Sequence, residues 1–177
     1  RNVYRCLPYI CGMPVFPWSF TTYKRIQTRE VRVGDVWIGA AHPLRIQTMT
    51  TTDTMDTKAT VAQCIRCIEG GAELVRITAP SIREAENLQA IKTSLRQQGY
   101  NTPLVADIHF TPNAAEIAAK IVEKVRVNPG NYVDKKKFEQ KEYSDEEYRA
   151  EIERIRERFV PLVTICKQHG TAMRIGT

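Results

Sequence analysis

The feature that most restricts this chain is a fivefold alternation of short β-branched runs with stretches of helical period, beginning at residue 44. The runs occupy residues 44–49, 73–78, 103–108, 124–128 and 172–176. After the first, Val61, Ile65 and Ile68 keep a helical stripe that stops at Gly70-Gly71. The second helix opens with Ser81 and Glu84, the spacing of a capping box, and runs through Leu88, Ile91 and Leu95 to Gly99. Thr111 and Pro112 are suited to the N-cap and first position of a third helix carrying Ala114, Ala118 and Ile121. In the fourth, Ser144 and Glu147 form another capping box and Tyr148, Ile152, Ile155 and Phe159 share a face. Pro161 then predicts a kink or the start of a second helix, which carries Leu162 and Cys166 and ends at Gly170. Repeated β-then-α units predict a parallel α/β sheet, either an open doubly wound layer or part of a (β/α)8 barrel.

Outside the repeats, residues 31–38 alternate around Gly34-Asp35 and read as a small hairpin. Residues 1–29 read as a leader or poorly ordered segment. Pro8, Pro14 and Pro17 interrupt their apolar stretch and spoil a signal-peptide core. Residues 134–143 hold three consecutive lysines without periodicity and predict an exposed loop. No apolar run approaches the ~20 residues of a membrane-spanning helix.

Charge narrows the partners. The net +6 is concentrated in residues 1–30, with five basic residues and one acid, while the remaining 147 residues carry 21 basic and 19 acidic. So balanced a body lacks the broad basic face that nucleic-acid binding requires. Five cysteines are an odd set and too sparse for a disulfide scaffold, which points to a reducing, cytoplasmic setting. Cys64 and Cys67 fall within a helix, without a second pair or a nearby histidine, and read as core residues rather than metal ligands.

Three strands share one pattern: Val75-Arg76-Ile77-Thr78, Val125-Arg126-Val127-Asn128 and Met173-Arg174-Ile175-Gly176. Period two sends each arginine to the face opposite its apolar neighbours. If those neighbours pack on outer helices, three guanidinium groups point to the other face, which in a barrel is the interior. Asp107 is the one acid at an equivalent strand end, and it cannot neutralise all three. The surplus predicts a multiply charged anion such as a diphosphate, held by bidentate forks. The competing structural reading pairs each arginine with a surface acid. Asp107 and His109 share a face, suited to hydrogen-bonding hydroxyls or to fixing an imidazole beside a phosphate. Asn128 and Asn131 supply amides at the next strand end, although turn formation explains Asn131 equally well. The hydroxyl-rich 47–54 segment either lines the mouth or caps a helix through Asp56 or Thr57.

These residues carry a resemblance. Residues 46–52 (Ile-Gln-Thr-Met-Thr-Thr-Thr), 104–110 (Leu-Val-Ala-Asp-Ile-His-Phe), 125–131 (Val-Arg-Val-Asn-Pro-Gly-Asn) and 173–176 (Met-Arg-Ile-Gly) resemble, in order, the N-terminal barrel of the 4-hydroxy-3-methylbut-2-enyl diphosphate synthase family. The resemblance spans residues 30–177. It implies a parallel (β/α)8 TIM-type barrel, incomplete here at about five of eight units. It also implies an iron–sulfur oxidoreductase of non-mevalonate isoprenoid biosynthesis, which reductively opens 2-C-methyl-D-erythritol 2,4-cyclodiphosphate. Ferredoxin or flavodoxin is the implied electron donor, and a homodimer is compatible with it. The implied [4Fe–4S] cluster has its ligands outside this span, so no metal ligand is assigned here. By the same resemblance Arg76, Arg126 and Arg174 grip the diphosphate, with Asp107, His109 and Asn128 at the mouth and Gln47 on the first strand. Residues 134–158 resemble the insertion of the family's larger form. The runner-up reading is another phosphate- or pterin-binding TIM-barrel enzyme.

Overall fold

The computed structural model describes residues 27–109, 111–128, 132 and 144–176. A hairpin of β1 (Val31–Val33) and β2 (Val36–Ile38) comes first. It is followed by β3 (Gln47–Met49), α1 (Thr57–Glu69), β4 (Leu74–Thr78), α2 (Ile82–Gln97), β5 (Leu104–Ile108), α3 (Pro112–Ala119), β6 (Lys124–Val127), α4 (Asp145–His169) and β7 (Ala172–Ile175). The expected leader up to residue 26, the 134–143 loop, Phe110 and Asn131 lie outside the described residues.

The main sheet is parallel and its strands lie in chain order, β3-β4-β5-β6-β7. A doubly wound sheet reverses its order and carries helices on both faces. Here the order never reverses, and Val61, Leu88, Ala115 and Leu162 from all four helices share one apolar cluster with Val75, Ile77, Ala106, Ile108, Val125 and Val127. Every helix given above therefore covers the same face. That is the winding of a barrel arc, and it resolves the alternative left open by the β/α alternation.

The opposite, inner face is closed at its N-terminal end by the hairpin. Val33 is fully buried against Leu74 and Val105, with Ile38 and Ala172 packed beside them. The turn at Gly34 has φ +58, a conformation glycine adopts freely. It also lies close to the sheet, because a Cβ there would meet Pro103 Cγ at 3.0 Å and Glu123 Cγ at 3.2 Å.

Two glutamates fasten this end. Glu73, just before β4, accepts from Ile46 N at 2.9 Å and from Arg45 Nη1 at 2.7 Å. Glu123, just before β6, repeats the device. It accepts from Leu104 N at 2.8 Å and pairs with Lys92 at 2.9 Å and Arg96 at 3.1 Å. Burial pushes the Glu123 carboxyl up, but the Lys92 ammonium, the Leu104 amide and Arg96 outweigh it and hold the group below 4.5.

Three local details go beyond the sequence reading, while Thr111 does stand at the expected N-cap with Pro112 following. Ser81 is the N-cap of α2, yet its side chain makes no cap bond, because the hydroxyl hydrogen-bonds the Glu84 carboxylate instead. Thr111 caps α3 by position only, its hydroxyl donating to Pro80 O at 2.9 Å. Past Pro161, α4 continues as one helix from its Ser144 capping box to Gly170 at φ +66, so no second helix starts there. Pro161 is exposed while Leu162 and Cys166 are buried. The missing N–H thus leaves a carbonyl on a turn that water reaches, and core packing carries the helix through.

Candidate anion-binding site

Parallel pairing sets the inner-face residues in rows. One row contains Met49, Arg76, Val105, Lys124 and Ala172. The next, toward the C-terminal ends of the strands, contains Thr78, Asp107, Arg126 and Arg174. The helix cluster occupies the alternate positions, so the arginines face inward, as period two requires.

Asp107 is the hub. It is 1% exposed, and its carboxylate pairs with Arg76 through Oδ2 and with Arg126 Nη1 through Oδ1 at 3.3 Å. His109 Nε2 lies 3.3 Å from the same Oδ2. The side chains of Arg76 and Arg126 are only 20% and 18% exposed, each guanidinium holds one contact to Asp107, and the inner-face space they border at the C-terminal ends of the strands is the candidate basin. Arg76 Nε is buried without a hydrogen-bond partner. An unmade bond on a buried cation is costly, and an anion in the basin would relieve it.

Arg174 sits beside Arg126 in register on the same face, but it is exposed and has no ion pair among the described residues. Gly176 explains how Arg126 lies flat. A Cβ at Gly176 would stand 2.5 Å from Arg126 Nη2, 2.6 Å from Nε and 2.8 Å from Cζ, so the guanidinium occupies the space a side chain would take. Asn128 follows directly on β6, its carbonyl accepting from Tyr132 N at 2.9 Å. Gln47 is set apart from this group. It pairs with Leu74, a row nearer the hairpin than Arg76.

The hydroxyl-rich segment is a wall locked by its own bonds. Thr54 Oγ1 donates to Thr78 O at 2.6 Å, Gln63 Oε1 accepts from Thr51 N at 3.0 Å and Thr52 N at 3.1 Å, and Asn87 Nδ2 donates to Thr54 O at 2.7 Å. Thr50, Thr54 and Thr60 are buried. Of the two expected roles, Asp56 fulfils the cap, accepting from Ala59 N at 2.9 Å.

One inward residue escaped the sequence reading. Lys124 alternates with Arg126 on β6 and faces the same interior. Its burial, together with the charges of Arg174 and Arg76, lowers its pKa from the ordinary 10.5. The signal was present, since the period that places Arg126 places Lys124 two residues earlier. With Lys124 counted, four fixed cations face one carboxylate among the described residues of this face. No arrangement of three or more His, Cys, Asp or Glu among the described residues could hold a metal ion. Cys64 is buried within α1, and burial, with Cys67 nearby, pushes its thiol up to about 12.

The GcpE TIM-barrel domain family matches residues 28–177. The chain belongs to that family. The 4-hydroxy-3-methylbut-2-en-1-yl diphosphate synthase (flavodoxin) of Parabacteroides distasonis is 60% identical over 159 residues, which is 89% of this chain and 26% of that protein. The identically named protein of Akkermansia muciniphila is 56% identical over 155 residues, 88% of this chain and 26% of its own length. That of Chlorobaculum tepidum is 48% identical over 162 residues, 92% of this chain and 22% of its own length. The chain thus spans about a quarter of the length of these relatives. The parallel arc of five strands with its intervening helices is accordingly an incomplete portion of the GcpE TIM barrel.

Proposed function

We propose that this chain is the substrate-holding barrel portion of a 4-hydroxy-3-methylbut-2-enyl diphosphate synthase, and that the basin binds the diphosphate of 2-C-methyl-D-erythritol 2,4-cyclodiphosphate. The observation that carries the reading is the charge surplus around Asp107. Arg76 and Arg126 are tied to one buried carboxylate, and Arg174 and Lys124 beside them have no ion pair among the described residues. A single carboxylate orients two guanidinium groups without cancelling them, and a diphosphate satisfies the forks that remain. His109 and Asn128 form the polar rim, where they meet the hydroxyl-bearing part of the substrate. Gln47 is assigned the wall of the interior below it.

Reductive ring opening needs electrons. The names of the relatives point to flavodoxin as donor, with ferredoxin the alternative. The described residues do not fit an iron–sulfur cluster. Cys64 and Cys166 are buried in the core on the helix side of the sheet, and Cys67 is held within α1. By the family resemblance, the [4Fe–4S] ligands of the proposed enzyme are assigned outside this span. No described helix is long and apolar enough to cross a membrane, and the proposed setting is the cytoplasm.

Arg126→Ala in the full-length enzyme tests the reading. Loss of a bidentate contact to a diphosphate costs on the order of 1.5 to 3 kcal/mol, a rise in KM of about tenfold or more. Arg126→Lys recovers part of it, because the ammonium keeps the charge and loses the fork. A destabilised Arg126→Ala enzyme with unchanged KM would refute the site and favour a purely structural ion pair.

A further inference from the structure

Lys124 lies level with Arg76 and one row deeper than Arg126 and Arg174. It stands at the start of β6, between Val105 and Ala172 in register, one row nearer the hairpin than Asp107 and Arg126. Its row mates on either side are apolar, and Arg76, beyond Val105, is another cation. Asp107 is already shared by Arg76, Arg126 and His109. Among the described residues Lys124 has no hydrogen-bond or ion-pair partner. A lysine whose task was to fill space would be better replaced by an apolar residue, since a half-buried ammonium among like charges is penalised by desolvation and by repulsion together. The flexible four-carbon stem lets the ammonium rise from its own row toward the basin above.

We propose that Lys124 is part of the floor of the basin, a fourth cationic contact to the phosphoryl oxygens of a bound diphosphate, reaching them from the level of Arg76 and from beneath Arg126 and Arg174. The inference rests on the diphosphate reading given above. It assigns the deeper row of charge, Lys124 with Arg76, to the part of the ligand with the highest charge density. It also makes anion binding and Lys124 protonation mutually supporting. Without the anion, burial, Arg174 and Arg76 favour loss of the proton; a diphosphate reverses that balance. The charged groups facing Lys124 are Arg76 on β4, Asp107 on β5, Arg126 on its own strand and Arg174 on β7, and the three arginines stay charged throughout the alkaline range.

The experiment compares Lys124→Met, Lys124→Arg and Arg126→Ala in the full-length protein that carries these residues. It measures the affinity for inorganic diphosphate by calorimetry between pH 7 and 10, together with Tm. Lys124→Met is expected to weaken binding about tenfold at pH 7 without lowering Tm, with Lys124→Arg recovering part of the loss. The wild-type affinity is expected to fall as pH rises through the alkaline range, and Lys124→Met to flatten that slope. If Arg126→Ala loses affinity while Lys124→Met binds normally with an unchanged pH slope, the Lys124 assignment is overturned and the basin reading stands. If neither variant loses affinity, the basin reading itself falls and the assignment with it. A lower Tm for Lys124→Met with normal affinity would mark a structural lysine and also overturn the proposal.

Discussion

Asp107 is where one side chain decides the most. A carboxylate 1% exposed and shared by two arginines keeps three charges in a space that water barely enters. Asp107→Asn keeps the shape and removes the negative charge, leaving Arg76 and Arg126 buried and uncompensated. The expected cost is about 3 kcal/mol, the usual scale for breaking a buried pair from one side. Because an anion in the basin would substitute for the lost charge, diphosphate should raise the Tm of this variant more than that of the wild type. Equal shifts in the two melts would contradict the shared-carboxylate account. Gly176 makes a complementary prediction. Gly176→Ala drives a methyl into the Arg126 guanidinium, so it should weaken diphosphate binding several-fold while shifting Tm by little, measured by calorimetry and thermal melting.

At the scale of elements, the Glu123 clamp ties α2 to the starts of β5 and β6. Glu123→Gln should cost about 2 to 4 kcal/mol, because Lys92, Arg96 and the Leu104 amide lose a charged acceptor together. The pH dependence follows from the lowered carboxyl pKa. The stabilisation is fully present above the unfolded value near 4.5 and is lost as pH falls through the lower folded value. Urea midpoints of wild type and variant should therefore differ widely at pH 7 and converge in acid; a gap that does not narrow as the pH falls would count against the clamp. In α4, Pro161 sits on an exposed turn inside a helix held by Leu162 and Cys166. Pro161→Ala restores one backbone donor and should stabilise the protein by roughly 1 to 3 kcal/mol, read as a rise in Tm.

For the whole molecule, the arc of five strands leaves β3 and β7 each paired on one side only among the described residues. Leu44 is 89% exposed and Ile46 62%, next to one of these edges, and Ile175 lies exposed on the other. Strand edges with bare apolar neighbours recruit other chains. The 177-residue chain alone should self-associate with rising concentration in light scattering; a monodisperse monomer with a single cooperative melt would speak against it. The hairpin fits the same picture, since Val33 closes the N-terminal end of the inner face and leaves the basin as the polar end.

The sequence by itself determined the β/α alternation, the helix start at Ser144, and that each of Arg76, Arg126 and Arg174 lies on the face opposite its apolar strand neighbours; the structure chose Asp56 over Thr57 as cap and made that face the inner one. The features set by the sequence follow from periodicity and from contacts within a turn or two of chain, which a single sequence carries in full. The sequence also placed Asp107 and His109 on one face, where they meet at 3.3 Å. The tertiary structure alone decided which row each inward residue occupies. That row depends on strand register, so Gln47 falls level with Leu74 and Lys124 level with Arg76. It decided that Ser81 and Thr111 spend their hydroxyls on Glu84 and Pro80 instead of the helix backbone, and that α4 passes Pro161 unbroken. It also decided that Gly176 makes room for a guanidinium fifty residues away in the chain. Apart from the Ser81–Glu84 contact, which is local, these outcomes are set by partners distant in sequence, whose burial and charge outweigh local preference.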